Sequence, residues 1–76
     1  MKNLPSLKSS EVISILKKAG FKRLRQKGSH LVLYNSQLKK LTVVPLHKGK
    51  EIKKSLLRKI IMEDCGLTID EFLNMK

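Results

Sequence analysis

Apolar positions along the chain fall into three regimes. Near the start, Val12, Leu16 and Ala19 recur at helical spacing, with Ile13 and Ile15 beside them. Ser9 and Ser10 can cap such a helix, Glu11 suits the positive end of its dipole, and Gly20 supplies a stop. A helix is therefore expected over roughly residues 10–19. The second regime is short and β-rich. Phe21–Gln26 predicts a strand carrying basic residues, Lys27-Gly28-Ser29 a turn, and His30–Tyr34 a second strand. Asn35-Ser36-Gln37 makes a second turn, and Leu41–Val44 a third strand closed by Pro45. After Leu46-His47-Lys48-Gly49-Lys50, helical spacing returns. Ile52, Leu56, Leu57, Ile60 and Ile61 form one broad apolar side, opposed by Lys54, Arg58 and Lys59, and Gly66 ends the run. Thr68-Ile69-Asp70-Glu71 is a capping-box pattern that starts a short last helix through Phe72 and Leu73.

The order α-β-β-β-α plus a short C-terminal helix implies an α+β fold. Short turns between the strands imply a three-stranded antiparallel meander. Two helices can cover only one face of such a sheet, so the other face is left for a ligand or partner. The layout is that of double-stranded-RNA-binding domains, which read A-form RNA by shape and by its 2′-hydroxyls. With 76 residues the expectation is one small domain spanning 1–76.

Charge sharpens this picture. Seventeen Lys and Arg against six Asp and Glu leave a formal net charge of +11. A body this small cannot dilute that charge, so it attracts polyanions, nucleic acid foremost. Glu63, Asp64, Asp70 and Glu71 all lie near the C-terminal end, which makes the preceding chain more basic still. Apolar residues at 41 % argue against disorder. Cys65 is the only cysteine, so no internal disulfide forms; inert packing and a reducing cytoplasm fit. The first residues lack a signal-peptide pattern, and no apolar run approaches the ~20 residues of a membrane span.

Candidates for chemistry are few. Glu11 and Glu51 are the only acids before residue 63, too few for a nuclease that holds two metal ions in carboxylates. The histidines and Cys65 fit no common zinc spacing, and no cofactor is expected. What remains is RNA cleavage without a metal. RNA carries its own nucleophile, the 2′-hydroxyl. An enzyme has to take its proton, stabilise charge on the phosphorane and protonate the leaving 5′-oxygen. His30 follows Gly28-Ser29 at the turn. If Leu31 and Leu33 face the helices, His30 faces outward with Val32 and Tyr34. Gly28 permits close backbone approach to a phosphate, and Ser29 offers a hydroxyl and an amide. Arg23, Arg25 and Lys27 on the first strand, with His47 and Lys48 in the loop after Pro45, complete the candidate RNA contacts. On chemistry alone His30 is either a general base or a turn residue. His47 is an acid, a phosphate ligand or plain surface. Tyr34 stacks on a base or packs.

Several segments in this order resemble one family. They are Lys27-Gly28-Ser29-His30, Thr42-Val43-Val44-Pro45-Leu46-His47, Leu57-Arg58-Lys59-Ile60 and Gly66-Leu67-Thr68-Ile69-Asp70-Glu71-Phe72-Leu73. With the opening Ser10–Leu16 helix and the Ala19-Gly20-Phe21 junction, the chain resembles the HicA toxins over nearly its whole length. The resemblance implies a double-stranded-RNA-binding-like fold and mRNA interferase activity that halts translation. It implies His30 as the catalytic residue, and a HicB-type antitoxin as the partner that blocks the site. Members of that family often carry a Gly-Thr step before the Leu-Arg of the second long helix. Here Ser55-Leu56 precedes Leu57-Arg58; Ser55 can still serve as a cap, and the exact start of that helix is left open.

The main alternative is a non-catalytic RNA-binding module, which would need the basic surface and not His30. A membrane-active peptide fits poorly with three β-rich segments. A DNA-binding regulator would need a helix-turn-helix pairing that is not evident, so direct DNA binding is not expected.

Overall fold

The computed structural model describes residues 4–47 and 49–76. Its elements are α1 (Ser9–Lys18), β1 (Lys22–Lys27), β2 (His30–Asn35), β3 (Lys40–Pro45), α2 (Lys54–Arg58) and α3 (Ile69–Asn74). Helix α2 runs on without a break into a π-helical segment, Lys59–Asp64. The strands form one antiparallel sheet in the order β1-β2-β3. The α+β, α-β-β-β-α order and the antiparallel meander expected from the residue pattern are therefore observed, with boundaries shifted by one or two residues.

Period-two alternation on the central strand decides which face is buried. Leu31 and Leu33 pair with Val44 and Thr42 on β3, and all four are buried on the helix side. They join Val12, Leu16, Phe21, Leu57, Ile60, Ile61 and Phe72 in one hydrophobic cluster, apart from Thr42. The opposite face carries His30, Val32 and Tyr34, with Leu41, Val43 and Pro45 across from them. Val32, in the middle of that face, is still only 7 % exposed because its neighbours on both sides shield it.

Both hairpin turns are local solutions. Gly28 and Ser29 form a two-residue loop between the paired Lys27 and His30. Gly28 has φ +59° while Ser29 lies outside the left-handed region, the pattern of a type II′ turn with glycine first. A Cβ there would meet nothing within 4 Å, so backbone conformation alone selects glycine. At the second turn, the Asn35 carboxamide accepts from the amides of Gln37 and Leu38, both at 3.0 Å, and donates to the Ala19 carbonyl at 3.1 Å. That bond ties the end of α1 to the sheet. Gly20 sits against it with φ +101°; a Cβ would come 3.1 Å from the Asn35 amide nitrogen.

Two expected helix caps differ. Lys8, not Ser9 or Ser10, is the N-cap of α1, and its amide donates to the Glu11 carboxylate at 3.0 Å. The Ser9 hydroxyl instead donates to the Pro45 carbonyl at 2.7 Å, which pins α1 to the end of β3. Likewise α2 begins after Lys53, so Ser55 lies inside the helix as an exposed residue rather than at its cap. The Thr68 capping box is present as expected. The Thr68 hydroxyl accepts from the Glu71 amide at 3.0 Å and the Thr68 amide donates back to the Glu71 carboxylate at 2.9 Å. The Thr68 amide, and after it the Thr68 hydroxyl, hold the Glu71 carboxyl below its ordinary value. Cys65 is buried, and loss of water with the nearby Asp64 charge pushes its thiol up to about 12. Among the described residues no helix is long and apolar enough to cross a membrane.

Candidate active site

His30 is the first residue of β2 and is exposed, on the open face of the sheet as its alternation requires. The II′ turn fixes its place directly across from Lys27, and β3 brings Pro45 to its other side. Residues paired across an antiparallel ladder share a face. Arg25, across from Val32, and Lys27, across from His30, therefore lie on the His30 face.

Arg23 does not. A β-bulge between Arg23 and Arg25 shifts the register, so Arg23 pairs with Leu33 and belongs to the other side. Its guanidinium donates to the Gln26 carboxamide at 3.2 Å, and Gln26 donates in turn to the Gly28 carbonyl at 3.1 Å. Arg23 thus braces the β1 end of the turn from behind. A strict alternation along Arg23-Leu24-Arg25 would have placed both arginines together. The inserted residue separates them and leaves Leu24 53 % exposed.

His47 and His30 lie on different sides of the Pro45-Leu46 segment. Its start is fixed by the Ser9 bond to Pro45, and the Leu46 amide donates to the Ser29 carbonyl. His47 is exposed and lines a hollow of about 290 Å³ against the start of α1, with Ser10, Ile13 and Leu46. His30 opens instead on a groove of about 390 Å³ that follows the outer edge of β3. Lys48 lies outside the described residues.

The groove at His30 contains groups that the residue pattern did not single out. Besides His30 it is lined by Thr42, Val43 and Pro45 of β3 and by Leu56, Lys59 and Asp64 of the helical segment that follows. The Thr42 hydroxyl donates to Asp64 Oδ2 at 2.9 Å, and the Lys59 ammonium lies 3.5 Å from Asp64 Oδ1. Thr42 was open to detection: a hydroxyl residue on the buried face of a strand needs a partner. The Lys59–Asp64 pair was not, because residues five apart face away from each other on an α-helix. Among the described residues, no three of His, Cys, Asp and Glu come together as a cluster able to hold a metal ion.

The chain is thus a small basic α+β domain with an outward histidine at a Gly-Ser turn. The model of one protein family, described as the HicA toxin of bacterial toxin–antitoxin systems, matches residues 9–67. That is most of the chain, and the protein belongs to the HicA toxin family. Among curated proteins no sequence matches it.

Proposed function

We propose that the protein is a metal-independent endoribonuclease, an mRNA interferase that cuts messages at a site centred on His30. The observation that carries this reading is the position of His30. It is exposed at a two-residue turn, opens on a groove, and has Lys27 and Arg25 on the same face. Neutral imidazole takes the proton of a ribose 2′-hydroxyl. The 2′-oxygen attacks the adjacent phosphorus as the P–O5′ bond breaks. The products are a 2′,3′-cyclic phosphate and a 5′-hydroxyl end, whose oxygen takes up a proton from solvent. Lys27 and Arg25, with Gly28, Ser29 and the loop residues His47 and Lys48, engage the RNA backbone. Arg23 acts at one remove, through Gln26 and the turn. Family membership supports a HicB-type antitoxin as the partner that covers the groove and keeps the toxin silent.

The test is cleavage of RNA by the purified protein with EDTA present, the wild type beside His30→Ala. The expected result is cutting by the wild type and a loss of about tenfold or more in kcat for the variant, with RNA affinity largely kept. Equal cutting by both would remove His30 from the mechanism. Binding by both with no cutting by either would leave an RNA-binding module in place of a nuclease.

A further inference from the structure

The groove that His30 opens on is also lined by a cation, Lys59, set there by a π-helical turn. Helix α2 is regular only to Arg58; the next six residues, Lys59–Asp64, are a π-helix, and the Cys65 amide donates to the Ile60 carbonyl five residues back at 3.0 Å. On an α-helix, residues five apart are separated by roughly 140° around the axis. A π turn closes over five residues and brings such positions to one side. The two ends of this segment, Lys59 and Asp64, form an ion pair at 3.5 Å, and both line the His30 groove. Ile60 and Ile61, between them, stay fully buried, so the core is kept while the polar ends are re-aimed.

The pair is graded from inside to outside. Thr42, 1 % exposed, donates to one Asp64 oxygen, and Lys59 faces the other. The Asp64 side chain is 22 % exposed and that of Lys59 56 %. A molecule entering the groove therefore meets the ammonium before the carboxylate. Lysine has three donors, and Asp64 takes at most one, so two remain for an incoming anion. An RNA phosphate beside His30 gains negative charge on its non-bridging oxygens as the phosphorane forms. A cation that reaches that phosphate stabilises the transition state more than the ground state.

We propose that Lys59 is the cation that contacts the phosphate on which His30 acts, held at the groove wall by Asp64 and Thr42. The inference rests on the nuclease reading and names the charge-stabilising partner of His30 within it. Asp64 is a positioning residue that works through Lys59.

The experiment measures kcat and KM on a short RNA in EDTA for the wild type, Lys59→Gln, Lys59→Arg, Asp64→Asn and the Lys59→Gln/Asp64→Asn double variant. Thermal melts establish that each is folded, and Lys59→Met, which keeps the aliphatic stem, replaces Gln if Gln disturbs the fold. The expected loss for Lys59→Gln is at least about tenfold in kcat, with KM changed by less than about threefold. Lys59→Arg should retain activity within about threefold, because the charge is kept. The Asp64→Asn loss should be smaller and should vanish in the Lys59→Gln background, as it must if Asp64 acts only through Lys59. Unchanged kcat in Lys59→Gln overturns the proposal, as does a loss confined to KM, or an Arg variant as poor as Gln. A wild type that does not cut overturns the nuclease reading and this role together. A wild type that cuts and a His30→Ala that does not, beside a fully active Lys59→Gln, overturns the role of Lys59 alone.

Discussion

Strands β1 and β3 both run along a free edge of the same sheet, and they are guarded by different means. All six residues of β1 are exposed; four are Lys or Arg, and a bulge breaks the edge. Charge and a bulge are common protections against unwanted strand pairing. On β3, Leu41 is 46 % and Val43 36 % exposed, and protection comes from the π-helical end of α2, which packs beside the strand. The β1 edge is thus an open band of positive charge that attracts a polyanion from a distance. The β3 edge is a walled groove in which a few groups have fixed places. On the proposed nuclease reading, attraction and positioning fall on opposite sides of His30.

Substitutions on the two sides should therefore fail differently. The largest expected effect is on the β1 side. Arg25→Gln with Lys27→Gln should weaken RNA binding by about tenfold or more at low salt. The plot of log affinity against log salt should also become shallower by about 1.4, because two fewer phosphates of a single strand are neutralised. Saturating kcat should hold. A fall in kcat with an unchanged salt slope would erase the distinction between the edges. On the β3 side, Thr42→Val should cost about 1 kcal/mol in urea unfolding, because Asp64 loses a charge-assisted hydrogen bond, while Leu24→Ser on β1 should stay within about 0.5 kcal/mol. Equal costs would mean that the Thr42–Asp64 link does not secure the groove wall.

The smallest effect lies away from both edges and serves as a control. The Glu71 carboxyl is held below its ordinary value by its bonds to Thr68. Its contribution to stability is present above the unfolded carboxylate value of about 4.5 and is lost as pH falls through the lower folded value. In thermal melts from pH 7 downward, wild type and Glu71→Gln should converge in acid. RNA binding at neutral pH should be the same for both. Curves that stay parallel at every pH would show that the cap carries no charge-dependent stability.

Much of this arrangement was legible in the residues because it is local. The Gly28-Ser29 turn, the alternation that turns His30 away from Leu31 and Leu33, and the Thr68–Glu71 box each depend on neighbours within a few positions. The features that were hidden depend on one inserted residue or on distant partners. The bulge at Leu24 and the π turn after Arg58 each add a residue to a regular period, and Ile60-Ile61 fits the apolar side of an α-helix as well as that of a π-helix. Ser9 has the side chain of a cap, yet its hydroxyl is taken by Pro45, 36 residues away. Thr42 and Asp64 are 22 residues apart, and nothing in either neighbourhood names the other. The Gly-Ser-His motif draws attention to His30 from the residues alone, whereas the Lys59–Asp64 side of its groove is visible only once β3 and α2 are packed together.

That division has a consequence for how the molecule comes into being. The two hairpins join strands through loops of two and four residues, Gly28-Ser29 and Ser36–Lys39, so their closure costs little chain entropy. Contacts between near neighbours form quickly, and His30 sits at the tightest of them. The other side of the groove rests instead on long-range contacts, the docking of a C-terminal helical segment against the last strand. One groove therefore joins a side fixed by near neighbours to a side that exists only when distant parts of the chain are packed together.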